Sequence, residues 1–214
     1  MVFASQVRRA IAPRVQALVA ACAFAFLLAG CSLFGGATEP VASYRLEGTG
    51  SGVSAFSGEP CCLLEVRTPL PAPGFATARM VYERNDYQNE AFAYAEWVDT
   101  LPTMLRASMI DSFDRLGRFE AVVGAPSPQL PDYRLESRGL MVIQRFDGER
   151  SEVEVALRAR LVDADSRALL GARRFSIVVP AEPANSEGGV EAANEALDQL
   201  MEELASYVLA LVDG

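Results

Sequence analysis

The sequence contains neither histidine nor lysine, so all 19 of its basic residues are arginines. Histidine is the commonest general base, and lysine supplies Schiff-base chemistry. Their absence therefore excludes Ser-His-Asp, Cys-His and lysine-dependent catalysis. Neither a Walker loop nor a G-x-G-x-x-G motif occurs. Glycosidases manage with two carboxylates, but no pair of acids stands apart from the others here. These absences predict a non-enzymatic protein that uses no cofactor.

Cysteine is scarce, with four residues in the chain. Cys22 and Cys31 belong to the N-terminal apolar run, which leaves the adjacent pair Cys61 and Cys62. Neighbouring Cα atoms are about 3.8 Å apart, whereas a disulfide usually spans roughly 4.4–6.8 Å. Neighbours in a strand also point to opposite faces. We therefore expect one buried and one exposed thiol, with too few partners for a metal or redox site.

The N-terminus combines three arginines with an apolar run over 15–31 that ends in Leu28-Ala29-Gly30-Cys31. A basic start, an apolar middle and small residues at the end are typical of a secretory signal peptide, and the run is too short for a good membrane span. Leu-Ala-Gly-Cys resembles the lipobox of bacterial lipoproteins. The resemblance implies cleavage between Gly30 and Cys31 and acylation of Cys31. The alternative is a plain secreted protein with an incidental cysteine.

Removal of residues 1–30 leaves 184 residues, with 16 arginines against 28 acids and a formal charge of −12. Such a protein is a poor nucleic-acid binder, because affinity for nucleic acid rests on neutralising phosphates. Nor does it gain attraction to an anionic membrane, so the acyl anchor on Cys31 must hold it there. Ser32, by resemblance to enterobacterial sorting rules, favours the outer membrane over the inner one. We expect a tether over 31–42 and a single domain over 43–214.

Apolar periodicity predicts two main helices. The first begins after Thr100 and ends at Gly117, and the second follows a loop that extends to Gly189. Strands are predicted on both sides of the first helix. A hairpin covers Thr77–Glu96, and alternating apolar residues mark a half-buried strand around Val153–Leu161.

The short turns between Tyr133 and Val179 require an antiparallel C-terminal meander. Strands interleaved with two helices indicate an α/β fold, with a mixed β-sheet and both helices packed on it. A long strand from Tyr133 to Phe146 is expected to bulge near Gly139.

A family resemblance rests on the order of short segments. These are Tyr44-Arg45-Leu46, Leu64-Glu65-Val66, Pro71-Ala72-Pro73-Gly74-Phe75, Met80-Val81-Tyr82, Tyr94, Trp97, a helix around Leu105, Asp132-Tyr133-Arg134-Leu135 and Arg174-Phe175. Together with the lipobox and the C-terminal helix, this order resembles the ABC-type transport auxiliary lipoprotein family over nearly the whole mature chain. One departure follows Trp97, where the family often has a proline pair and this chain has a single Pro102.

The resemblance implies a fold akin to the amino-terminal domain of TolB. It also implies a place beside ABC transporters with mammalian-cell-entry (MCE) domain proteins, the Pqi and related lipid-trafficking systems. There the lipoprotein would dock the periplasmic conduit at the outer membrane. Two alternatives stay open. One is a lipid-binding carrier with its own apolar cavity between sheet and helices. The other is a carboxylate enzyme of the cell wall.

The hairpin supplies the candidate contact residues Tyr87, Phe92, Tyr94 and Trp97. Tyrosine suits an interface, because its ring buries area while its hydroxyl keeps a hydrogen bond. We expect either a contact surface for sister subunits or the MCE-domain partner, or sheet packing by all of these residues except Tyr87. Self-assembly of the chain into a homo-oligomeric ring would give a conduit repeated contacts.

Overall fold

The computed structural model describes residues 40–48, 55–85 and 87–214, of which Val41–Gly214 form one compact unit. Gly30 and Cys31 lie outside the described residues. In chain order the elements are β1 Ala42–Tyr44, β2 Leu63–Val66, β3 Leu70–Pro71, β4 Arg79–Asn85, β5 Gln88–Trp97, α1 Leu101–Leu116, β6 Ala121–Gly124, β7 Tyr133–Asp147, β8 Arg150–Asp163, β9 Leu169–Pro180 and α2 Ser186–Val212.

The strands of the described residues form one nine-stranded mixed sheet, organised around the long strand β7. On one side β7 pairs in parallel with β2, β3 and β4, and on the other it pairs antiparallel with β8 along nearly its whole length. Strand β9 continues the antiparallel meander from β8, as predicted. Gly139 has φ 68°, and the β7–β8 register shifts beside it, which confirms the predicted bulge.

Helices α1 and α2 pack together on one face of the sheet. The alternation predicted for β8 places its odd-numbered residues from Val153 to Leu161 under this layer, each at most 2% exposed. Helix α2 covers them with Leu197, Leu200 and Leu204, which are fully buried. The sheet's other face carries charged side chains and has no helix of the described residues on it.

Helix α1 begins and ends where the sequence predicts. Thr100 is its extended N-cap residue, although its side chain makes no capping hydrogen bond, and Pro102 fits within the first turn. Gly117 ends the helix in the left-handed conformation, with φ 70°. The departure from the family pattern after Trp97 therefore does not displace this helix.

Helix α2 begins earlier than the sequence predicts, and the expected loop to Gly189 is wrong. Asn185 is the N-cap, and its side-chain oxygen accepts a hydrogen bond from the Gly188 N–H at 3.0 Å. Gly188 and Gly189 lie inside the first turn of the helix. Both positions require glycine, because neighbouring segments approach too closely for a side chain. Glycine here serves close packing rather than a loop.

Cys61 and Cys62 form a disulfide, so the expectation of two free thiols is wrong. Both residues precede β2, where strand alternation does not separate their side chains. Cys61 is exposed and Cys62 is buried, as expected.

None of the helices in the described ranges combines the length and the apolar character that a membrane crossing demands.

Candidate functional site

The β4–β5 hairpin is tied to the central strand β7 close to its turn. Arg145 of β7 donates to Glu83 of β4 at 3.2 Å and to Glu154 of β8 at 2.6 Å. Strand β4 also pairs with β7 through Val81, Tyr82 and Glu83. These contacts fix the part of β4 that leads into the turn to the central strand.

An aromatic cluster occupies one face of the hairpin. The ring of Tyr82 lies 4.7 Å from Phe92 and 5.7 Å from Phe146, and the guanidinium of Arg84 lies 5.1 Å from the centre of Tyr82. The Tyr82 hydroxyl donates to Glu90 at 2.7 Å. That hydrogen bond, followed by burial, raises the pKa of Tyr82 above its ordinary value. The cluster stiffens the hairpin, and Phe92 is half-buried within it.

Tyr87 is the most exposed aromatic residue of the hairpin. Its side chain is 100% exposed, its φ is 70°, and its N–H donates to the Glu83 carboxylate at 3.0 Å. Tyr94 on β5 is 53% exposed. Ala42 of the edge strand β1 pairs with Ala95, so the preceding exposed residue Val41 comes beside Tyr94. Aromatic and apolar surface is thus available at the tip and at the edge.

The four predicted contact residues do not form one surface. Tyr87 and Tyr94 are exposed, Phe92 packs in the aromatic cluster, and Trp97 lies in the hydrophobic core with 3% exposed. The burial of Trp97 agrees with the alternative that this residue packs within the fold instead of forming a contact surface. The β4–β5 register shifts between Arg79 and Val81, and this irregularity interrupts the alternation of side chains along β5. Tyr94 therefore does not share a surface with Phe92.

The sheet face away from the helices carries paired charges. Buried Glu65 accepts from Arg134 at 2.9 Å, and Glu136 accepts from Arg160 at 2.6 Å. Burial alone would raise the pKa of Glu154, but hydrogen bonds from Ser176 and Arg145 outweigh it and hold that pKa below its ordinary value. Each of these acids is therefore paired with an arginine.

The same face contains an arginine row that sequence reasoning did not identify. Arg138 on β7, Arg158 on β8 and Arg174 on β9 stand opposite one another across the three strands. The one available signal was the alternation of Arg158 and Arg160 with buried residues of β8. The row itself depends on the register between strands, which a single sequence does not encode.

In the part of the chain that the structure describes, no three residues of the types that bind metals come together as a cation site. Two clefts are present. One, of about 450 Å³, lies over the arginine row between β3 and the meander. The other, of about 760 Å³, lies between the β7–β8 turn and the segment that precedes α2.

Comparison with known proteins identifies similar structures. The crystal structure of XCC0632 from Xanthomonas campestris has a TM-score of 0.72 and 19% identity, over 81% of this chain and 97% of that protein. A second crystal structure, of an uncharacterized protein, has a TM-score of 0.60 and 19% identity, over 79% of this chain and 99% of that one. At these identities the likeness shows the fold.

A relative in sequence is an uncharacterized protein of Bradyrhizobium diazoefficiens, 27% identical over 153 residues. The match covers 70% of this chain and 40% of the relative, so the chain spans well under half of that protein's length. The model of the ABC-type transport auxiliary lipoprotein component family matches residues 44–205. That match includes every strand from β2 to β9, the whole of α1 and most of α2. The chain therefore belongs to the ABC-type transport auxiliary lipoprotein component family.

Proposed function

We propose that this lipoprotein docks the periplasmic conduit of an ABC-type lipid transport system at the outer membrane, and that its partner is the MCE-domain protein of that system. Family membership supports an auxiliary role in ABC-type transport. The acyl group on Cys31 would hold the protein to the membrane, on its periplasmic face. The domain itself would act by binding and not by catalysis.

The observation that carries the proposal is the exposure of Tyr87 on a hairpin that is held by the central strand next to its turn. A fully exposed tyrosine at a stiff tip loses little conformational freedom on binding and contributes large contact area. The ion pairs of Arg145 and the rings around Tyr82 supply that stiffness. Tyr94, with Val41 beside it, extends the apolar surface along β5.

Self-assembly of the chain would strengthen docking, because a ring of subunits presents several tips to one conduit. Strand β1 has only three pairs with β5 and forms an edge of the sheet beside Tyr94. Edge strands carry unpaired backbone groups that a sister subunit can satisfy. We therefore place the subunit contact at the β1–β5 edge and the conduit contact at the tip.

The alternative function, a lipid carrier with an apolar cavity between sheet and helices, has less support. The residues between these layers are fully or almost fully buried on both sides, including Leu157, Leu161, Leu197 and Leu204. Close-packed side chains fill the space that a lipid chain would need. The likeness to the amino-terminal domain of TolB stays a prediction from family resemblance.

Capture of the MCE-domain protein by the purified full-length lipoprotein tests the docking role. Tyr87→Ala should reduce capture at least fivefold, and Tyr94→Ala should lower the oligomer mass measured by light scattering. Leu130 is 93% exposed and lies in the loop before β7, so Leu130→Ala is the matched control. Its capture and mass should equal those of the wild type. Unchanged capture by Tyr87→Ala, with an unchanged melting temperature, would show that the tip is not the docking surface.

A further inference from the structure

The arginine row on the sheet face away from the helices has an unusual electrostatic arrangement. Arg138 and Arg158 are directly opposite each other, and Arg158 is directly opposite Arg174. Directly opposite residues of antiparallel strands have Cβ atoms about 4.5–5.5 Å apart, and like charges in such pairs are destabilising. The fold therefore carries three neighbouring positive charges at a cost in stability.

Two of these arginines have no acidic partner within residues 40–48, 55–85 and 87–214. Arg138 and Arg158 make neither an ion pair nor a side-chain hydrogen bond there, and Arg174 reaches Glu154 only at 3.9 Å. Acids are not in short supply, since the chain has 28 of them against 19 arginines. On the same face Arg160 and Arg134 each have a close glutamate. Arg84 and Arg167 also lack an acidic partner among the described residues, but Arg138 and Arg158 differ from them in standing directly opposite each other on paired strands.

A cleft of about 450 Å³ lies beside Arg138 and Arg158. Its one acid, Glu136, is already bound by Arg160 at 2.6 Å. Two aliphatic side chains also line it, Leu70 with 65% and Leu169 with 59% of their surface exposed. The remaining lining residues are Arg67, Thr68, Ser137 and Ala172. The cleft thus joins uncompensated guanidinium groups to exposed aliphatic surface.

From this combination we infer that the cleft binds the phosphate group of an anionic amphiphile. Guanidinium groups bind phosphate oxygens with paired N–H donors, and two adjacent arginines can share one phosphate. The aliphatic part of the ligand lies against Leu70 and Leu169, where it removes apolar surface from water. The volume is in the range of small-molecule sites and accommodates a phosphate head with the beginning of a chain.

This site is separate from the docking proposal, because it uses β3 and the meander rather than the hairpin. It also differs from a carrier cavity, since it lies on the face opposite the helices. Its ligand neutralises the like charges of the row, so binding should stabilise the fold. Without ligand, replacement of one arginine should leave the melting temperature equal to or above that of the wild type.

Three probes separate the parts of the proposal. Octyl phosphate carries head and chain, inorganic phosphate carries the head alone, and octyl glucoside carries the same chain without charge. Titration calorimetry on the full-length protein in a nonionic detergent should show octyl phosphate binding at least tenfold tighter than either other probe. Equal binding of inorganic phosphate would contradict an amphiphile and indicate a free phosphate ion. Equal binding of octyl glucoside would overturn the role of the arginines.

The variant Arg138→Gln/Arg158→Gln should weaken octyl phosphate binding at least tenfold without lowering the melting temperature. Arg45→Gln/Arg115→Gln removes the same charge from exposed positions outside the cleft and is the matched control. The affinity of this control for octyl phosphate should stay within twofold of that of the wild type. If net charge alone determined binding, both double variants would be weakened equally. The proposal is overturned if the two double variants bind alike.

Discussion

Gly189 of helix α2 lies so close to Gln144 of strand β7 that a Cβ atom at residue 189 would be 2.1 Å from the Gln144 Oε1 atom. Gln144 is not free to move away, because its amide donates to Ser151 at 2.9 Å and to the Asn185 carbonyl at 3.0 Å. The glycine thus allows the start of α2 to rest directly on the central strand, with Gln144 joining them.

Gly189→Ala should therefore destabilise the domain, although alanine is the better helix former. Displacement of the buried Gln144 costs about 1–3 kcal/mol, against about 1 kcal/mol gained from helix propensity. The net effect is a fall of a few degrees in melting temperature. In the double variant Gly189→Ala/Gln144→Ala the clash is removed, so its loss should be smaller than the sum of the single losses. Additive losses would show that the contact is not the cause.

Glu154 should make stability depend on pH in a predictable direction. Its pKa in the folded protein lies below the ordinary value of 4.5, so its contribution is complete above about that pH. It is lost as the pH falls further through the folded pKa. Glu154→Gln should cost about 1–3 kcal/mol at pH 7, and the difference from wild type should shrink below pH 4. Urea unfolding from pH 7 to 3 measures this, with the exposed Glu149→Gln as control. A constant difference across that range would contradict the prediction.

Reduction of the Cys61–Cys62 disulfide should change stability little. A bridge between neighbours closes a very short loop, so it constrains the unfolded chain by only about 1 kcal/mol. The expected fall in melting temperature on addition of reductant is therefore about 2–4 °C. Cys61→Ala/Cys62→Ala should fold and lose this response to reductant. A drop above 10 °C in the wild type would show that the bridge has a larger structural role.

The anchor can be tested through Cys31, which lies outside the described residues. Cys31→Ser should remove the acylated thiol and leave an unprocessed or mislocalised protein. Mass spectrometry of the wild-type protein should detect acyl groups on residue 31, and fractionation should recover it with the outer membrane. A wild-type protein that is soluble and carries no acyl mass would rule out the lipoprotein prediction.

Local patterns in the sequence predicted the parts of the fold that have a single buried face. The spacing of Leu101, Leu105 and Met109 identified α1, and the alternation from Val153 to Leu161 identified β8. The bulge near Gly139 was also predicted, and Gly139 has a positive φ in the structure. These features depend on residues that are close together in the chain, so the helical and strand periods of apolar residues predict them.

The rest depends on contacts between distant segments. Parallel pairing of β2, β3 and β4 with one strand has no local signature, because each pairing needs a long connection. The arginine row requires the registers of three strands at once. Gly189 looked like part of a loop, since its role arises only when Gln144 is placed beside it. The exposure of Tyr87 was predictable from its polar neighbours, whereas the burial of Trp97 required the completed sheet.

Strand β7 has hydrogen-bonded neighbours on both sides, while β1 is held by three pairs at an edge. Amide protons exchange with solvent through local opening, and opening β7 would require β8 and several parallel partners to separate together. Its amides should therefore exchange only when the whole domain unfolds. Those of β1 should exchange through fraying that leaves the rest intact. In the hairpin, β4 pairs with β7 as far as Glu83, so the amides of β4 should share the slow exchange of β7 almost to the turn.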